Sequence, residues 1–289
     1  MEPQERWVQP ARDASLRLHV LEWPGDGRPF VLLHGLASNA TTWAAVAREL
    51  AAHGHRVLAV DQRGHGRSDK PDTGYDFATI VADLAGLLDV LEVDAPVVAG
   101  QSWGGNVVLA FGATHRRRAH RLVFVDGGFL DLQARPGMSW ERIAVDLRPP
   151  ELAGTPRALL AERIRSFHPE WPEEGIEATL ANFETLPDGT VRPWLTLDRH
   201  MLILRALWEQ RPADLYPLVE RPVTIAVAED AGNPEWLAVK RVQVAAAEGA
   251  LRAVNVRWFP NTAHDIHVHR PAELATLLLA EPDAAEGGA

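Results

Sequence analysis

The chain has 289 residues, 46% of them hydrophobic, with no cysteine and a formal charge of −10. Length and apolar content suit one large α/β domain with an insertion and exclude an intrinsically disordered chain. The missing thiols exclude disulfides, thiolate metal sites and cysteine nucleophiles, while 29 basic against 39 acidic residues argue against nucleic acid as a partner.

The first fifteen residues are polar, with no basic start and no apolar h-region, and nowhere do eighteen apolar residues run together. The expectation is a cytoplasmic protein with no membrane contact, either a monomer or a homodimer. From there, short β-branched and Leu-rich runs alternate with longer Ala/Leu-rich segments of helical period, the pattern of strands joined by helices into a mostly parallel sheet. Strands are predicted at Leu16 to Trp23, Phe30 to His34, Arg56 to Asp61, Val97 to Gly100, Leu122 to Asp126, Val223 to Ala228 and Val254 to Phe259. Helices are predicted at Thr41 to His53, Phe77 to Leu91, Trp103 to His115, Pro234 to Glu248 and Pro271 to Ala280. The basic run Arg116 to Arg118 follows a predicted helix, where cations favour the negative end of the macrodipole. The acidic tail from Glu281 to Ala289 is expected to fray.

The alternation breaks between Phe129 and Pro217. No strand is evident there, but amphipathic stretches run from Met138 to Leu147, Arg157 to Phe167 and Arg199 to Arg211. We expect core residues 1–128 and 217–289 with an all-helical cap at 129–216, and a ligand cleft between cap and sheet.

The central chemical signal is Gly100-Gln101-Ser102-Trp103-Gly104, placed directly between a predicted strand and a predicted helix. Such a turn is tight enough to strain the serine backbone, and glycines two positions either side leave room for it. Its hydroxyl is thereby pushed out of the sheet as a nucleophile. The Trp103 N–H, at the positive end of the following helix, is one expected oxyanion donor. The Leu36 N–H in His34-Gly35-Leu36 is the second. Gly35 is expected beside the substrate, and His34 is expected to orient this loop. A serine hydroxyl needs a base near neutral pH. His264 is expected to supply it, in the loop between the last strand and the helix opened by Pro271. His267 and His269 follow closely, but in an extended segment they would splay apart, and no His-Glu-x-x-His pattern exists; no metal and no cofactor are expected.

These motifs, with Asp61-Gln62-Arg63-Gly64-His65-Gly66-Arg67-Ser68-Asp69 and Ala263-His264, resemble the α/β-hydrolase superfamily along nearly the whole chain. The resemblance implies a mostly parallel eight-stranded sheet flanked by helices, and gives the Arg63 to Asp69 segment a structural role. It also implies a third partner, a carboxylate, in one of two places. Many members carry it nine residues beyond the proline opening the strand after the cap; here that position is Ala231, with Asp230 adjacent. Others, such as haloalkane dehalogenases and zearalenone lactonases, carry it at the end of the strand after the nucleophile's helix. That position is Asp126, which ends an apolar strand and is followed by two glycines; it is preferred, with Asp230 as the alternative.

The serine argues against the aspartate-nucleophile chemistry of dehalogenases and epoxide hydrolases, and the His34-Gly35-Leu36-Ala37 loop differs from that of proline iminopeptidases. The resemblance therefore implies cleavage of a small-molecule ester or lactone through an acyl-enzyme. C–C bond hydrolase, perhydrolase and non-catalytic binding protein remain alternatives. Trp140, Trp194 and Trp208, with Phe167, Trp171 and Phe183, are the cap aromatics expected to contribute to an apolar pocket.

Overall fold

A computed structural model of the chain describes residues 2–10, 15–134 and 137–281. All seven predicted strands form, and an eighth precedes them. In chain order the first half comprises β1 (Gln4–Val8), β2 (Leu18–Trp23), β3 (Gly27–Leu33), α1 (Ala44–Ala52), β4 (His55–Val60), α2 (Phe77–Val90), β5 (Val97–Gln101), α3 (Trp103–Thr114) and β6 (Arg121–Val125). The cap follows as α4 (Trp140–Asp146), α5 (Arg157–Phe167), α6 (Glu173–Leu180), β7 (Phe183–Thr185), β8 (Val191–Pro193), α7 (Leu197–Glu209) and α8 (Pro212–Leu215). The chain then returns through β9 (Val223–Glu229), α9 (Pro234–Ala250), β10 (Val254–Pro260), α10 (Ile266–His269) and α11 (Pro271–Leu279). Of the expected frayed tail, residues 282–289 lie outside the described residues.

Eight strands form one sheet in the order β1-β2-β4-β3-β5-β6-β9-β10. Pairing is parallel from β4 through β10, while β2 runs antiparallel to both β1 and β4. The central strands are mostly apolar because both faces are covered. Leu122 and Phe124 of β6 point to the layer of α2, α3 and α9, whereas Val123 and Val125 point to the layer of α1 and α11. β1 escaped the sequence reading because it is an edge strand with four of its five residues exposed, so it carries no apolar alternation.

Two expectations are corrected, the first of them about the insertion. It is not all-helical: β7 and β8 form an antiparallel hairpin, too short at three residues each to show a strand period. The segment after His264 is not extended but makes the single helical turn α10. The cap has a small core of its own, in which Leu160, Trp171, Ile176, Leu180 and Val191 gather around Val268 of α10. Polar ties hold it to the base. Asn39 donates to the Ala178 carbonyl at 2.9 Å, and Arg199 donates to the Lys70 and Pro71 carbonyls at 2.8 and 3.0 Å.

The Arg63 to Asp69 segment, expected to be structural, forms a turn anchored through Asp61 just before it. The Asp61 carboxylate accepts from the Ala40 and Arg67 N–H groups at 2.7 and 2.9 Å, and Arg63 grips buried Asp83 through two hydrogen bonds of 2.7 and 2.9 Å. Among the described residues, no helix is long and apolar enough to cross a membrane.

Phe124 is fully buried in a central strand, whereas Val145 of the cap is 72% exposed. We expect Phe124→Ala to lower the unfolding free energy by about 3–5 kcal/mol in urea titrations. Val145→Ala should change it by less than about 0.5 kcal/mol in the same measurement.

Candidate active site

Parallel strands place their carboxyl ends along one edge, so the loops that follow them converge there. Register does the rest. Gly100 of β5 pairs with Phe124 of β6 and Gln101 with Val125, which sets the next residues, Ser102 and Asp126, side by side beyond the sheet. The Ser102 N–H donates to the Val125 carbonyl at 2.9 Å, and the Asp126 N–H donates to the Ala226 carbonyl at 2.7 Å.

Ser102 sits at φ 54°, ψ −121°, a conformation that L residues avoid, at the junction of β5 and α3. Close backbone approach on both sides sustains it. A Cβ at Gly104 would fall 2.5 Å from the His34 carbonyl oxygen, and one at Gly127 would fall 2.1 Å from that of Ser102. Gly35 has the same spacing role: a side chain there would meet the Gln101 amide and lie 3.2 Å from the Ser102 Cβ. It makes room for the elbow and does not line the cavity. His34 orients its loop as expected. Its Nδ1–H donates to the Gly35 carbonyl at 2.8 Å, and its Nε2 accepts from the Gln62 N–H at 3.0 Å. Burial pushes its pKa down, so the ring stays neutral.

His264 arrives on the loop beyond β10. Its Nδ1 is 2.6 Å from Asp126 Oδ2, and with the carboxylate ionised the Nδ1–H donates, leaving Nε2 as the acceptor toward the cleft. The Asp126 Oδ1 accepts from the Ala228 N–H at 2.9 Å, and Oδ2 also accepts from the Lys240 ammonium at 2.8 Å. Burial alone would push the Asp126 carboxyl up, but hydrogen bonding to His264 and the charges of His264 and Lys240 outweigh it and hold the pKa below the usual value. For His264, desolvation pulls downward, yet the hydrogen bond and charge of Asp126 prevail and the imidazole lies above 6.5. About 45% of the His264 side chain remains accessible through the cleft. Asp230, the alternative acid, is exposed, and its carboxylate accepts from its own loop at the Gly232 N–H, 2.8 Å away. The structure therefore brings Asp126, and not Asp230, against His264.

Ser102 and His264 open into one cavity of about 720 Å³ beneath the cap. Leu36 and Trp103 line it too, and α3 begins at Trp103, whose N–H has no intrahelical partner. The remaining wall is mostly apolar: Leu130, Leu132, Met138, Leu147, Leu204, Leu207, Trp236 and Val239, with His200, Asn233 and Glu235 as its polar members.

The expected tryptophans are not in this wall. On α7 the inward face is His200, Leu204 and Leu207, so Trp208, one residue further, turns about a quarter of the way round the helix and packs against the core. Trp140 also packs on the core, under the Arg205 guanidinium at 4.9 Å. Trp194 lines a second cavity of about 600 Å³, with the Lys70 ammonium 4.8 Å from its ring. Trp171 and Phe183 belong to the cap's own core, and Phe167 is 79% exposed.

Trp236 and Lys240 were missed. Their signal was present: Trp236, Lys240, Val244 and Ala247 share the inner stripe of α9, where a lysine is out of place. His267 is buried with its ring 4.7 Å from that of Trp43, and His269 accepts from the Ala263 N–H at 3.3 Å.

Comparison with known proteins supports the same architecture. The Alpha/beta hydrolase family model matches residues 30–277. A non-heme chloroperoxidase from Streptomyces lividans is 30% identical over 217 residues, 72% of this chain and 76% of that protein. Among solved structures, an esterase from Exiguobacterium antarcticum superposes with a TM-score of 0.71 at 19% identity, covering 95% of this chain and 98% of the other. The enol-lactonase from Burkholderia xenovorans LB400 gives 0.69 at 18% identity, covering 94% and 98%. At such identities these two likenesses concern the fold.

The geometry has a consequence measurable without any substrate. The His264 imidazole, followed by NMR titration, should lose its elevated pKa in Asp126→Asn and keep it in Asp230→Asn. The opposite pattern would assign the partner carboxylate to Asp230.

Proposed function

The chain belongs to the alpha/beta hydrolase family, and on that premise we propose that it is a serine hydrolase of carboxylic esters or lactones. One observation carries the reading: Ser102, strained at its elbow, shares a cavity with His264, whose Nδ1 is fixed by a buried carboxylate. In this mechanism His264 Nε2 takes the Ser102 proton as the hydroxyl oxygen attacks the substrate carbonyl carbon. The oxyanion that develops is met by the N–H groups of Trp103 and Leu36. Protonated His264 then gives its proton to the departing alkoxide, leaving an acyl-enzyme. Water, deprotonated by the same imidazole, releases the acid and restores Ser102. Asp126 stays ionised throughout, holding the ring's tautomer and stabilising the imidazolium.

The cavity argues for substrates of small to medium size. Its volume of about 720 Å³ and its Leu, Met, Trp and Val wall accept an apolar acyl or lactone skeleton with few polar groups. A second reading draws on the chloroperoxidase relative: the same acyl-enzyme, attacked by hydrogen peroxide in place of water, would yield a peracid. Acyl transfer to peroxide uses the same Ser102 and His264, so the two readings differ in the acceptor alone.

Four outcomes are expected. A fluorophosphonate probe should label the native protein and fail to label Ser102→Ala; an unlabelled native protein would point instead to a ligand-binding protein on a hydrolase fold. Short soluble p-nitrophenyl esters and small lactones should be turned over faster than long-chain triglyceride emulsions. Asp126→Asn should lower kcat by several orders of magnitude, about 10⁴-fold where the wrong imidazole tautomer results. Because a neutral His264 is required as base and its pKa lies above 6.5, kcat/KM should fall as pH drops through a midpoint above that value.

A further inference from the structure

Lys240 is an ammonium where the fold has every reason to place an apolar side chain. Its side chain is 3% exposed and the Asp126 side chain 1%. It donates at 2.8 Å to Asp126 Oδ2 and at 2.8 Å to the Ala228 carbonyl. The oxygen it contacts is the same Oδ2 that receives the His264 Nδ1–H at 2.6 Å, while Oδ1 receives the Ala228 N–H. One carboxylate thus has three donors from three directions, and one of its oxygens serves both the imidazole and a cation.

We propose that Lys240 is a positioning residue for the catalytic base: it locks the Asp126 carboxylate against rotation and tempers its charge, so that His264 is oriented without binding its proton too tightly. The inference rests on the serine-hydrolase reading for its kinetic meaning, but its geometry stands on its own.

The balance at His264 involves every group packed around it. Asp126 faces it from the end of β6, and Asp265 from its own loop; both favour the imidazolium. Lys240, reaching in from α9, opposes it. His267 on α10, driven by burial to about 4, is neutral at physiological pH and adds no charge. His200, across the cavity on α7, is likewise pushed down by burial. Glu235, at the start of α9, is exposed at the cavity wall, where solvent screens it. Lys240 is therefore the one cation in this set that works against Asp126.

The test uses Lys240→Gln, which retains a donor and most of the volume, beside Lys240→Met, which retains the volume alone. In both, the His264 titration followed by NMR should move up by about one unit. The ratio of kcat/KM at pH 6 to that at pH 9 should fall roughly tenfold relative to the parent protein, with KM for a short ester nearly unchanged because Lys240 does not line the cavity. Lys240→Met should lose additional kcat at all pH values because Asp126 is freed to rotate, and Lys240→Gln should recover part of that loss. An unmoved His264 titration in a folded variant, whether kcat falls uniformly or not at all, overturns the proposal. If the titration shifts but the parent protein turns over no ester, the effect of Lys240 on His264 stands and the hydrolase reading falls.

Discussion

The site depends on one constraint, the left-handed backbone at Ser102. A serine at φ 54° is unfavourable on its own, and it persists because β5 and α3 meet with no slack between them. The Ser102 N–H is spent on the Val125 carbonyl, and the carbonyl of Ser102 receives the Gly105 N–H at 2.9 Å. Gly104 and Gly127 bring two neighbouring backbones to distances that any side chain would forbid. The result fixes more than a hydroxyl. It also sets Trp103, the first residue of α3, in the wall of the same cavity, so the proposed nucleophile and the proposed oxyanion donor share one turn.

Electrostatics completes what the backbone begins. A carboxylate as buried as Asp126 is costly unless its oxygens are satisfied, and here backbone, imidazole and ammonium share the task. All three donors come from segments at the carboxyl edge of the sheet: β9, the loop after β10, and α9. Their convergence ties the late part of the chain to β6, on the far side of the cap in sequence. Gln101, one residue before Ser102, closes the arrangement by donating to the Asp265 carboxylate at 3.2 Å, which steadies the loop that carries His264.

The cap turns this edge into a chamber. Its α7 contributes to the apolar wall on one face, and its separate small core docks on α10 through Val268. His200 of α7 borders both the cavity that holds Ser102 and the second one. The shape available to a substrate is thus decided by helices whose sequence carries no chemical motif.

Sequence alone was enough to read most of the core elements and to expect Ser102 and His264 at one edge of the sheet, where they share a cavity. Strands covered on both faces are mostly apolar, so they stand out, and the Gly-x-Ser-x-Gly turn announces its own strain; Ser102 and seven of the eight sheet strands were legible in this way, and His264 from its place after the last strand. It also favoured Asp126, through likeness to relatives and through its place at the end of an apolar strand followed by two glycines. What it left open was everything set by direction in space. Whether Asp126 or Asp230 faces His264 depends on how β6 and β9 align, so a one-dimensional count could prefer Asp126 but had to keep Asp230 as the alternative. The cap tryptophans were misjudged because aromatic content says nothing of helical phase: Trp208 misses the cavity by one residue while Leu207 lines it. The hairpin of β7 and β8 and the exposed edge β1 lack any period long enough to read. Lys240 was invisible as a partner, because the carboxylate it meets lies 114 residues away and only the packing of α9 onto the sheet brings the two charges together.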